Sequence, residues 1–397
     1  MDLNNLFQSS SVRTKTHNES TDLIVSDDEQ LLNSIRELYA IEGYSAPIEV
    51  PDLESDESWN RSDVNLKHVI LDMRGANRLV DDVSIIATRL DVSISLLVLA
   101  DIDSIKLRNQ IHAIGAIYVL WDPDLDGLLA SLQPHQIDNL STKKTRIAKR
   151  ILILGTKGGI GVSCFSSVIA NALATQTNLK TLLVDHDSGA TNSDIFLGVK
   201  GLKPKQNSID LNQIDIDSAI ARTYVHRVED KLDYLVLDKN SACLADHAST
   251  LFNLSSELVD QYNFIIDSAP FSVYEEIHDR EFSDKYHRVF VVCEPSVSSL
   301  RSYNLLKKKM GKSEHQVVFI LNRPVKDYMV TLSNAKERIR VKDTLDIMYE
   351  QNLEKTMIQE GIEGLMKSKY SNPVAEVVMN LTGKKIKTKS RFSLFKK

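Results

Sequence analysis

One stretch of the chain, residues 151–164, constrains the fold more than any other. It begins with four consecutive apolar residues, which predict a buried parallel β-strand. A glycine-rich turn follows, and apolar residues then recur at the spacing of an α-helix, from Phe165 to Leu173. Strand, glycine loop and helix in this order predict a phosphate-binding loop, because glycines admit close backbone approach and the helix N-terminus supplies N–H donors. A glycine turn without a ligand is the alternative.

The loop departs from the usual phosphate-binding pattern at one position. That pattern ends in Gly-Lys-Ser/Thr, whereas Gly161 is followed here by Val162 and then Ser163. The lysine that contacts the terminal phosphates is therefore missing, while the hydroxyl that binds Mg²⁺ is kept. Another lysine, Lys157, stands at the front of the loop. A dinucleotide loop is excluded, since no Gly-x-Gly-x-x-Gly is present.

The arrangement Lys-Gly-Gly-x-Gly-x-Ser resembles the deviant Walker A motif of the ParA/MinD family. The resemblance implies that Lys157 reaches across a homodimer in which ATP lies between the subunits, and that it takes part in catalysis. It also implies an ATP site formed by the whole loop, which comprises Gly155, Thr156, Lys157, Gly158, Gly159, Ile160, Gly161, Val162, Ser163 and Cys164.

Acidic residues follow two apolar runs downstream of the loop. Asp267 follows residues 264–266, and the pair Asp185 and Asp187 follows residues 181–184. Ligands of open parallel sheets bind at the carboxyl ends of strands, so we expect Asp267 to hold Mg²⁺ beside the Ser163 hydroxyl. The family resemblance implies that Asp187 orients the attacking water, and we add Asp185 to the metal candidates. A helix cap is the alternative role for either acid of the pair.

Asn322 and Arg323 follow the strand predicted at residues 317–321. The family resemblance implies that the Asn322 amide pairs with the adenine edge, since an amide both donates and accepts. We place Arg323 beside it in the nucleotide site. For Asn322, a turn position before Pro324 is an alternative of equal weight.

The N-terminal part of the chain alternates strand and helix patterns, which predicts a small doubly wound domain. Asp27 and Asp28 end its first strand and Asp72 ends its third. These positions resemble those of a response-regulator receiver, with Asp72 as the possible phospho-acceptor. Its predicted strands are 23–25, 47–50, 68–72, 95–100 and 116–121, and its predicted helices are 31–39, 83–90 and 105–114.

Two receiver features are missing from this region. Ala100 ends the fourth strand, where a hydroxyl is expected, and Trp121 begins the segment where Lys-Pro is expected. Without that hydroxyl and cation, a phospho-aspartate cannot be recognised in the usual way. We therefore expect a degenerate, non-switching receiver, with a working phospho-switch as the alternative.

The C-terminal part continues the strand and helix alternation beyond the loop. Residues 199–230 are polar and predict helical or irregular structure. The further predicted strands are 181–184, 234–237, 264–266, 289–293 and 317–321, and the further predicted helices are 251–259 and 299–310. The expected fold class is therefore α/β, with two doubly wound parallel-sheet domains, receiver-like and then ParA/MinD-like.

The composition of the segments predicts how the chain is divided into domains, linker and tail. We divide the chain into a disordered N-terminus (1–20), a degenerate receiver-like domain (21–130), a linker (131–150), a ParA/MinD-like domain (151–383) and a basic tail (384–397). The basic end of the linker, including Arg146 and Arg150, is interpreted as solvated, with a lipid or partner contact as the alternative. The tail surrounds two phenylalanines with basic residues and can attach to an anionic membrane, while a solvated tail is the alternative.

The charge balance and cysteine content limit the class of protein. The net charge of −6 argues against a surface devoted to nucleic acid. The three separated cysteines form no metal pattern and indicate a reducing compartment. No apolar run is long enough to span a bilayer. We expect a cytoplasmic protein, with the inner face of the membrane at a cell pole as a narrower alternative.

Taken together, the motifs resemble the TadZ/CpaE group of pilus-localisation proteins. In that group the second lysine position of the loop, which Val162 occupies here, is also replaced. The resemblance implies a nucleotide-dependent dimeric scaffold that localises a tight-adherence (Flp, type IV-like) pilus or secretion machine, with slow or no hydrolysis. One alternative is an active MinD/ParA-type ATPase that positions DNA, flagella or a division site. The other is a phospho-regulated response regulator.

Overall fold

The computed structural model describes residues 20–53, 64–133, 146–189, 191–206, 216–238, 243–276, 285–311, 314–341 and 343–386. These residues form two compact units: the N-terminal unit comprises the described residues within 20–75, 94–103 and 119–133, and the C-terminal unit comprises the remaining described residues. Both units are α/β, and the expected fold class is confirmed. The predicted disordered N-terminus, most of the linker and most of the basic tail lie outside the described residues.

A mainly parallel sheet organises the N-terminal unit. The elements of residues 20–133 are β1 (Thr21–Val25), α1 (Glu29–Glu42), β2 (Ile48–Val50), β3 (Leu66–Asp72), α2 (Leu79–Ala87), β4 (Ser95–Ala100), α3 (Ile105–Ile114), β5 (Ile117–Leu120) and α4 (Asp126–Leu132). Of these, α2 and α3 fall in the C-terminal unit. The strand order is β2-β1-β3-β4-β5, and β1 to β4 pair in parallel. Helix α1 buries Leu31, Leu32 and Ile35 on one face, as their spacing predicts.

A larger sheet organises the C-terminal unit. Its strands are drawn from β6 (Lys149–Gly155), β7 (Thr181–Asp185), β8 (Lys205–Gln206), β9 (Val225–Glu229), β10 (Leu232–Leu235), β11 (Leu237–Asp238), β12 (Phe264–Ala269), β13 (Arg288–Cys293), β14 (Gln316–Ile320) and β15 (Thr344–Ile347). The order is β15-β14-β13-β6-β12-β7-β10-β9, while β8 and β11 pair separately. Only β9 runs antiparallel to its neighbour among these paired strands. Strand β6 therefore lies inside the sheet, between β12 and β13.

Further helices accompany the parallel strands of this larger sheet, which cannot be joined by tight turns. They are α5 (Val162–Thr177), α6 (Ser193–Phe196), α7 (Ser218–Thr223), α8 (Leu244–Ser256), α9 (Phe271–Glu276), α10 (Val297–Met310), α11 (Leu332–Ile339), α12 (Leu353–Leu365) and α13 (Ser371–Thr382). Helix α5 packs against β7 and β12 of the sheet and also against α12 and α13. It is buried around most of its circumference, and accordingly it carries no charged residue.

The structure contains elements that the sequence patterns did not predict. Strand β9 is a polar edge strand within a segment predicted to be helical or irregular, and β15 and the three helices from α11 to α13 were not predicted. Helix α12 is interrupted at Gly361, whose φ of 63° is not helical. Helix α8 begins at Leu244 rather than at residue 251, because the Cys243 sulfur accepts from the Asp246 N–H and caps the helix. Across the described residues, no helix is both long and apolar enough to cross a membrane.

Candidate functional site

The glycine loop joins β6 to α5 in a conformation that favours glycine. Gly159 and Gly161 have φ angles of 73° and 99°, in a region that L side chains rarely adopt. At Gly155, an added Cβ would lie only 2.7 Å from Cγ2 of Val162. The side chain of Val162 therefore packs into the space that the absence of a side chain at Gly155 leaves open.

Replacing Gly155 by Ala is expected to destabilise the chain by about 1–3 kcal/mol, because overpacking forces Val162 and the loop to move. Urea unfolding followed by circular dichroism measures this loss. The double variant Gly155→Ala/Val162→Ala is the matched control, since it removes the methyl group that clashes. The contact between these two positions would be refuted if the double variant were no more stable than Gly155→Ala alone.

Helix α5 presents an open N-terminus to the loop. It begins at Val162, its N-cap residue Gly161 supplies no side-chain hydrogen bond, and its first turn holds no acidic residue. The first N–H groups of a helix have no intrahelical partner, and the helix dipole adds partial positive charge there. The loop and the helix start can therefore bind an anion such as phosphate.

A cavity of about 400 Å³ lies against the loop and the helix start. Its polar side chains include Lys157, Ser163, Asp187, Asn192 and Ser268. The remaining lining comprises Gly158, Gly159, Gly161, Val162, Cys164, Ile195, Phe196, Pro270 and Met357. Among the predicted site residues outside the loop, the structure brings Asp187 to this cavity, while Asp185, Asp267, Asn322 and Arg323 lie outside its described lining.

Asp267 lies on the opposite face of the sheet from α5. Its neighbour Ser268 faces α5, where the two hydroxyl oxygens of Ser268 and Ser166 are 3.0 Å apart. Successive strand side chains alternate between faces, so Asp267 points to the other side. There Arg150 Nε donates to Asp267 Oδ2 at 2.9 Å, and His186 Nε2 donates to Oδ1 at 2.6 Å. Burial raises the pKa of Asp267, but Arg150 and His186 outweigh it and hold that pKa well below its usual range.

The side chain of Arg150 is almost completely buried. It lies within β6, is 5% exposed, donates to Ser255 and Ser256, and its guanidinium lies 3.9 Å from the ring centre of Phe252. The prediction of a solvated basic linker end is wrong for Arg150 and also for Arg146, which is 7% exposed. The missed signal is strand alternation: Arg150 pairs with Ile265 in register, which puts Arg150 and Asp267 on the same face of adjacent strands.

Asp185 is fully buried and supports its neighbour in sequence. The Tyr234 hydroxyl donates to Asp185 Oδ2 at 3.1 Å, and the Asp187 N–H donates to Oδ1 at 3.0 Å. Burial raises the pKa of Asp185. The Asp187 carboxylate itself accepts from the Gly189 N–H at 3.1 Å and lines the cavity. The two predicted acids therefore lie in different surroundings: Asp185 is in the core, and Asp187 lines the cavity beside the loop.

Lys157 is held by a residue that the sequence patterns did not single out. Its Nζ lies 2.6 Å from Oε1 of Glu294, which follows β13 and is 4% exposed. The adjacent Thr156 donates to the Val292 carbonyl at 2.9 Å, and its hydroxyl lies 2.7 Å from that of Ser299. The front of the loop is therefore tied to the segment between β13 and α10. A polar residue at the end of a central strand was the available signal for Glu294.

Asn322 lies against the loop from the side of β14. Its Nδ2 donates to the Gly159 carbonyl at 3.3 Å, and its N–H donates to the Tyr328 hydroxyl at 3.0 Å. The guanidinium of Arg323 lies 4.5 Å from the ring centre of the same tyrosine. Both residues thus order a turn beside the loop, and the adenine-binding role of Asn322 stays a prediction.

Comparison with known proteins identifies the family. A family model described as the CobQ/CobB/MinD/ParA nucleotide binding domain matches residues 151–387, which is more than half of the chain. The chain belongs to this family. The expected membership of the ParA/MinD family is thereby confirmed, while the narrower TadZ/CpaE grouping stays a prediction.

Individual ParA/MinD relatives are distant. The septum site-determining protein MinD of Buchnera aphidicola subsp. Schizaphis graminum is 24% identical over 214 residues, which is 50% of this chain and 74% of that protein. MinD of Synechocystis is 26% identical over 208 residues, covering 50% of this chain and 71% of the relative. A ParA family ATPase structure from Chlorobium tepidum is 19% identical, with 58% and 98% of the chains covered and a TM-score of 0.46. MinD of Aquifex aeolicus is 19% identical, with 60% and 99% covered and a TM-score of 0.42.

The ParA/MinD family implies Mg²⁺ as well as nucleotide, and the residues fit this metal only in part. Ser163 and Asp187 line the cavity, and Mg²⁺ is usually held by one or two carboxylates together with phosphate oxygens and water. Asp267 and Asp185 direct their carboxylates to other partners. No cluster of three or more metal-ligating side chains occurs within the described ranges. A metal role for Asp267 would therefore require its pair with Arg150 to open.

Cys164 completes the loop without adding a reactive group. Its side chain lines the cavity, and burial raises the pKa of its thiol to about 12. A thiol is a nucleophile only as the thiolate, so Cys164 is protonated and inert at neutral pH. The Cys164 thiol therefore supplies no nucleophile to this ParA/MinD-like site.

Proposed function

We propose that this chain is an ATP-binding positioning protein that acts as a nucleotide-dependent dimeric scaffold with slow or no hydrolysis. The observation that carries the proposal is the loop itself. Its backbone and the α5 N-terminus keep an open anion site, while Val162 replaces the charged residue expected for phosphate transfer. A protein with such a loop retains binding groups and lacks part of the catalytic machinery.

Retained nucleotide binding is supported by the cavity beside the loop. A volume of about 400 Å³ is within the range of small-molecule sites. Ser163 and Asp187 provide oxygen ligands for a metal bound to the phosphates, and the apolar side chains of Phe196 and Met357 provide a wall. When bound, Mg²⁺ would neutralise phosphate charge beside these two oxygens.

The residues at positions 162 and 267 support the proposal that hydrolysis is slow or absent. Phosphoryl transfer depends on positive charge around the transferred group, and Val162 supplies none. Asp267, the expected metal-binding acid, is engaged by Arg150 and His186. Turnover therefore lacks one neutralising side chain, and one carboxylate would have to change partners before it could act.

A dimeric arrangement is supported by Lys157. Its side chain is 38% exposed at the mouth of the loop, so it can reach a second molecule. Within one chain Glu294 balances its charge. Dimerisation around nucleotide would exchange this carboxylate for a phosphate of the partner's ATP, since both are oxyanions that accept hydrogen bonds from an ammonium group. We infer that Glu294 holds the lysine in the unliganded state.

The cellular role rests on the resemblance to the pilus-localisation group. We propose that the chain places a tight-adherence pilus or secretion machine at the inner face of the membrane, at a cell pole. The receiver-like domain would contact the partner proteins, and the basic tail would contact anionic lipid. Pilin, secretin and secretion-ATPase genes beside the coding gene would support this role.

An active MinD/ParA-type ATPase is the second candidate function. Lys157 and Asp187, which the family resemblance assigns to catalysis, both line the cavity. The MinD relatives are septum site-determining proteins. In this alternative the chain would cycle between ATP and ADP states and position a division site or another cargo.

Three measurements on the full chain with Mg²⁺ separate the two functions. They are the affinity for ATP, the rate of ATP turnover and the molecular mass in sedimentation. We expect ATP binding, an ATP-dependent dimer in sedimentation, and turnover near background. Lys157→Ala should lose the dimer and keep most of the binding, while Lys157→Arg keeps the charge and serves as control. Turnover that disappears in Lys157→Ala would favour the cycling ATPase. No ATP binding by the wild type would refute both functions.

A further inference from the structure

Arg74 lies between two carboxylates at the carboxyl edge of the N-terminal sheet. Its Nε donates to Asp72 Oδ1 at 2.8 Å, and its Nη2 donates to Asp72 Oδ2, also at 2.8 Å. The same Nη2 lies 2.8 Å from Oδ2 of Asp28. One guanidinium thus binds Asp72 through two bonds and bridges it to a second acid. Bidentate pairs of this kind are among the strongest hydrogen-bonded pairs in proteins.

The surrounding side chains hold this arrangement in place. The Ser26 hydroxyl donates to Asp72 Oδ2 at 2.8 Å. The Arg74 guanidinium lies 4.5 Å from the centre of the Trp121 ring, within the range of a cation–π contact. Only 11% of the Asp72 side chain and 20% of the Arg74 side chain are exposed. Both Asp72 oxygens therefore accept hydrogen bonds from the protein, and the approach to them is narrow.

The charges of the cluster are stable near neutral pH. Burial raises the pKa of Asp72, but hydrogen bonds from Arg74 and Ser26 outweigh it and hold that pKa below its usual range. The hydrogen bond to Asp72 is the main cause of the raised pKa of Arg74. The hydrogen bond from Arg74 likewise lowers the pKa of Asp28. Two carboxylates and one guanidinium accordingly face each other as ions.

We propose that Arg74 permanently occupies the place of a divalent cation in this pocket, so that the pocket takes up neither Mg²⁺ nor a phosphoryl group. The two acids match the positions at which the resemblance to receivers implies a metal and a phospho-acceptor. The residues do not fit a metal, because the guanidinium lies where both carboxylates would bind it. The non-switching character expected from Ala100 and Trp121 thus has a direct cause in Arg74.

Removing the Arg74 guanidinium should expose a latent cation site. In Arg74→Ala, Asp28 and Asp72 would face each other without a counter-charge, and carboxylates are the ligands that Mg²⁺ and Mn²⁺ prefer. We expect Mn²⁺ binding with a dissociation constant on the order of 10⁻⁴–10⁻³ M, as in weak oxygen-ligand sites. The wild type should show no saturable binding at this pocket.

Quenching of Trp121 fluorescence by Mn²⁺ tests the proposal on the full chain without nucleotide. The chain contains two tryptophans, so a Trp59→Phe background leaves Trp121 as the reporter. We expect saturable quenching in Arg74→Ala only. Arg74→Lys keeps a positive charge and should remain closed, and Arg74→Ala/Asp72→Asn removes a ligand and should lose the gained binding.

Three outcomes would overturn the proposal. The first is saturable quenching of the wild type in the same range as Arg74→Ala. The second is a folded Arg74→Ala chain, checked by circular dichroism, that gains no Mn²⁺ binding. The third is a stoichiometric Asp72 adduct after treatment of the wild type with acetyl phosphate, a reaction in which an Asp72 oxygen attacks phosphorus and acetate leaves. The wild-type measurements decide the proposal even if Arg74→Ala does not fold.

Discussion

Replacing Arg150 by Met is expected to lower the free energy of unfolding by about 3–5 kcal/mol, because a buried carboxylate would lose its counter-charge. Asp267 is fully buried, and Arg150 donates to both of its oxygens. His186 remains close to Asp267 in the variant, but it cannot replace the two bonds from the guanidinium. Urea unfolding followed by far-UV circular dichroism measures the loss.

A double variant distinguishes the ion pair from simple loss of packing. In Arg150→Met/Asp267→Leu both charges are removed, and exchange of a buried pair for apolar residues is often neutral or stabilising. We therefore expect this variant to recover most of the stability that Arg150→Met loses. If the single variant lost less than about 1 kcal/mol, the site would be solvated, and Asp267 would be available to other partners.

Restoring a lysine at position 162 is expected to strengthen ATP binding by roughly ten- to a hundredfold. A hydrogen bond to a charged group contributes about 1.5–3 kcal/mol, and each 1.4 kcal/mol corresponds to about tenfold in affinity. The lysine must leave the space beside Gly155 that Val162 fills and extend toward the phosphates. Calorimetric titration of ATP in the presence of Mg²⁺ measures the change.

Val162→Met is the matched control, since methionine is also long and unbranched and carries no charge. It should leave ATP affinity close to that of the wild type. If Val162→Lys bound no better than Val162→Met, the backbone at position 162 would be directing its side chain away from the phosphates. Turnover should rise less than affinity in Val162→Lys, because Asp267 remains paired with Arg150.

The nucleotide-binding domain and the pocket around Arg74 have one feature in common. In each, an acid to which a family resemblance implies a functional role is paired with an arginine from the same chain: Asp267 with Arg150 and Asp72 with Arg74. An arginine cannot lose its charge near neutral pH, so neither pair opens by deprotonation of the base. Both pairs are consistent with the proposed scaffold function, in which binding matters more than catalysis.

Local sequence patterns correctly predicted the elements whose stability depends on residues close to one another in the chain. The loop lies between a strand and a helix as predicted, because its glycines and the flanking apolar periods act within one short segment. Strand β4 and helix α3 occupy the predicted residues, and α3 is bounded by the Ser104 N-cap and the left-handed Gly115. The sequence motif also identified the ParA/MinD family without any three-dimensional information.

Only the tertiary structure decided which side chains meet. Arg150 and Asp267 are 117 residues apart and become neighbours because β6 pairs with β12 rather than with a strand adjacent in sequence. Arg74 and Asp28, 46 residues apart, meet for the same reason at the edge shared by β1 and β3. Strand order depends on the packing of whole elements, and local periodicity carries no information about it. The sequence therefore located the acids, and the fold determined which of them reach the cavity and which are neutralised by arginine.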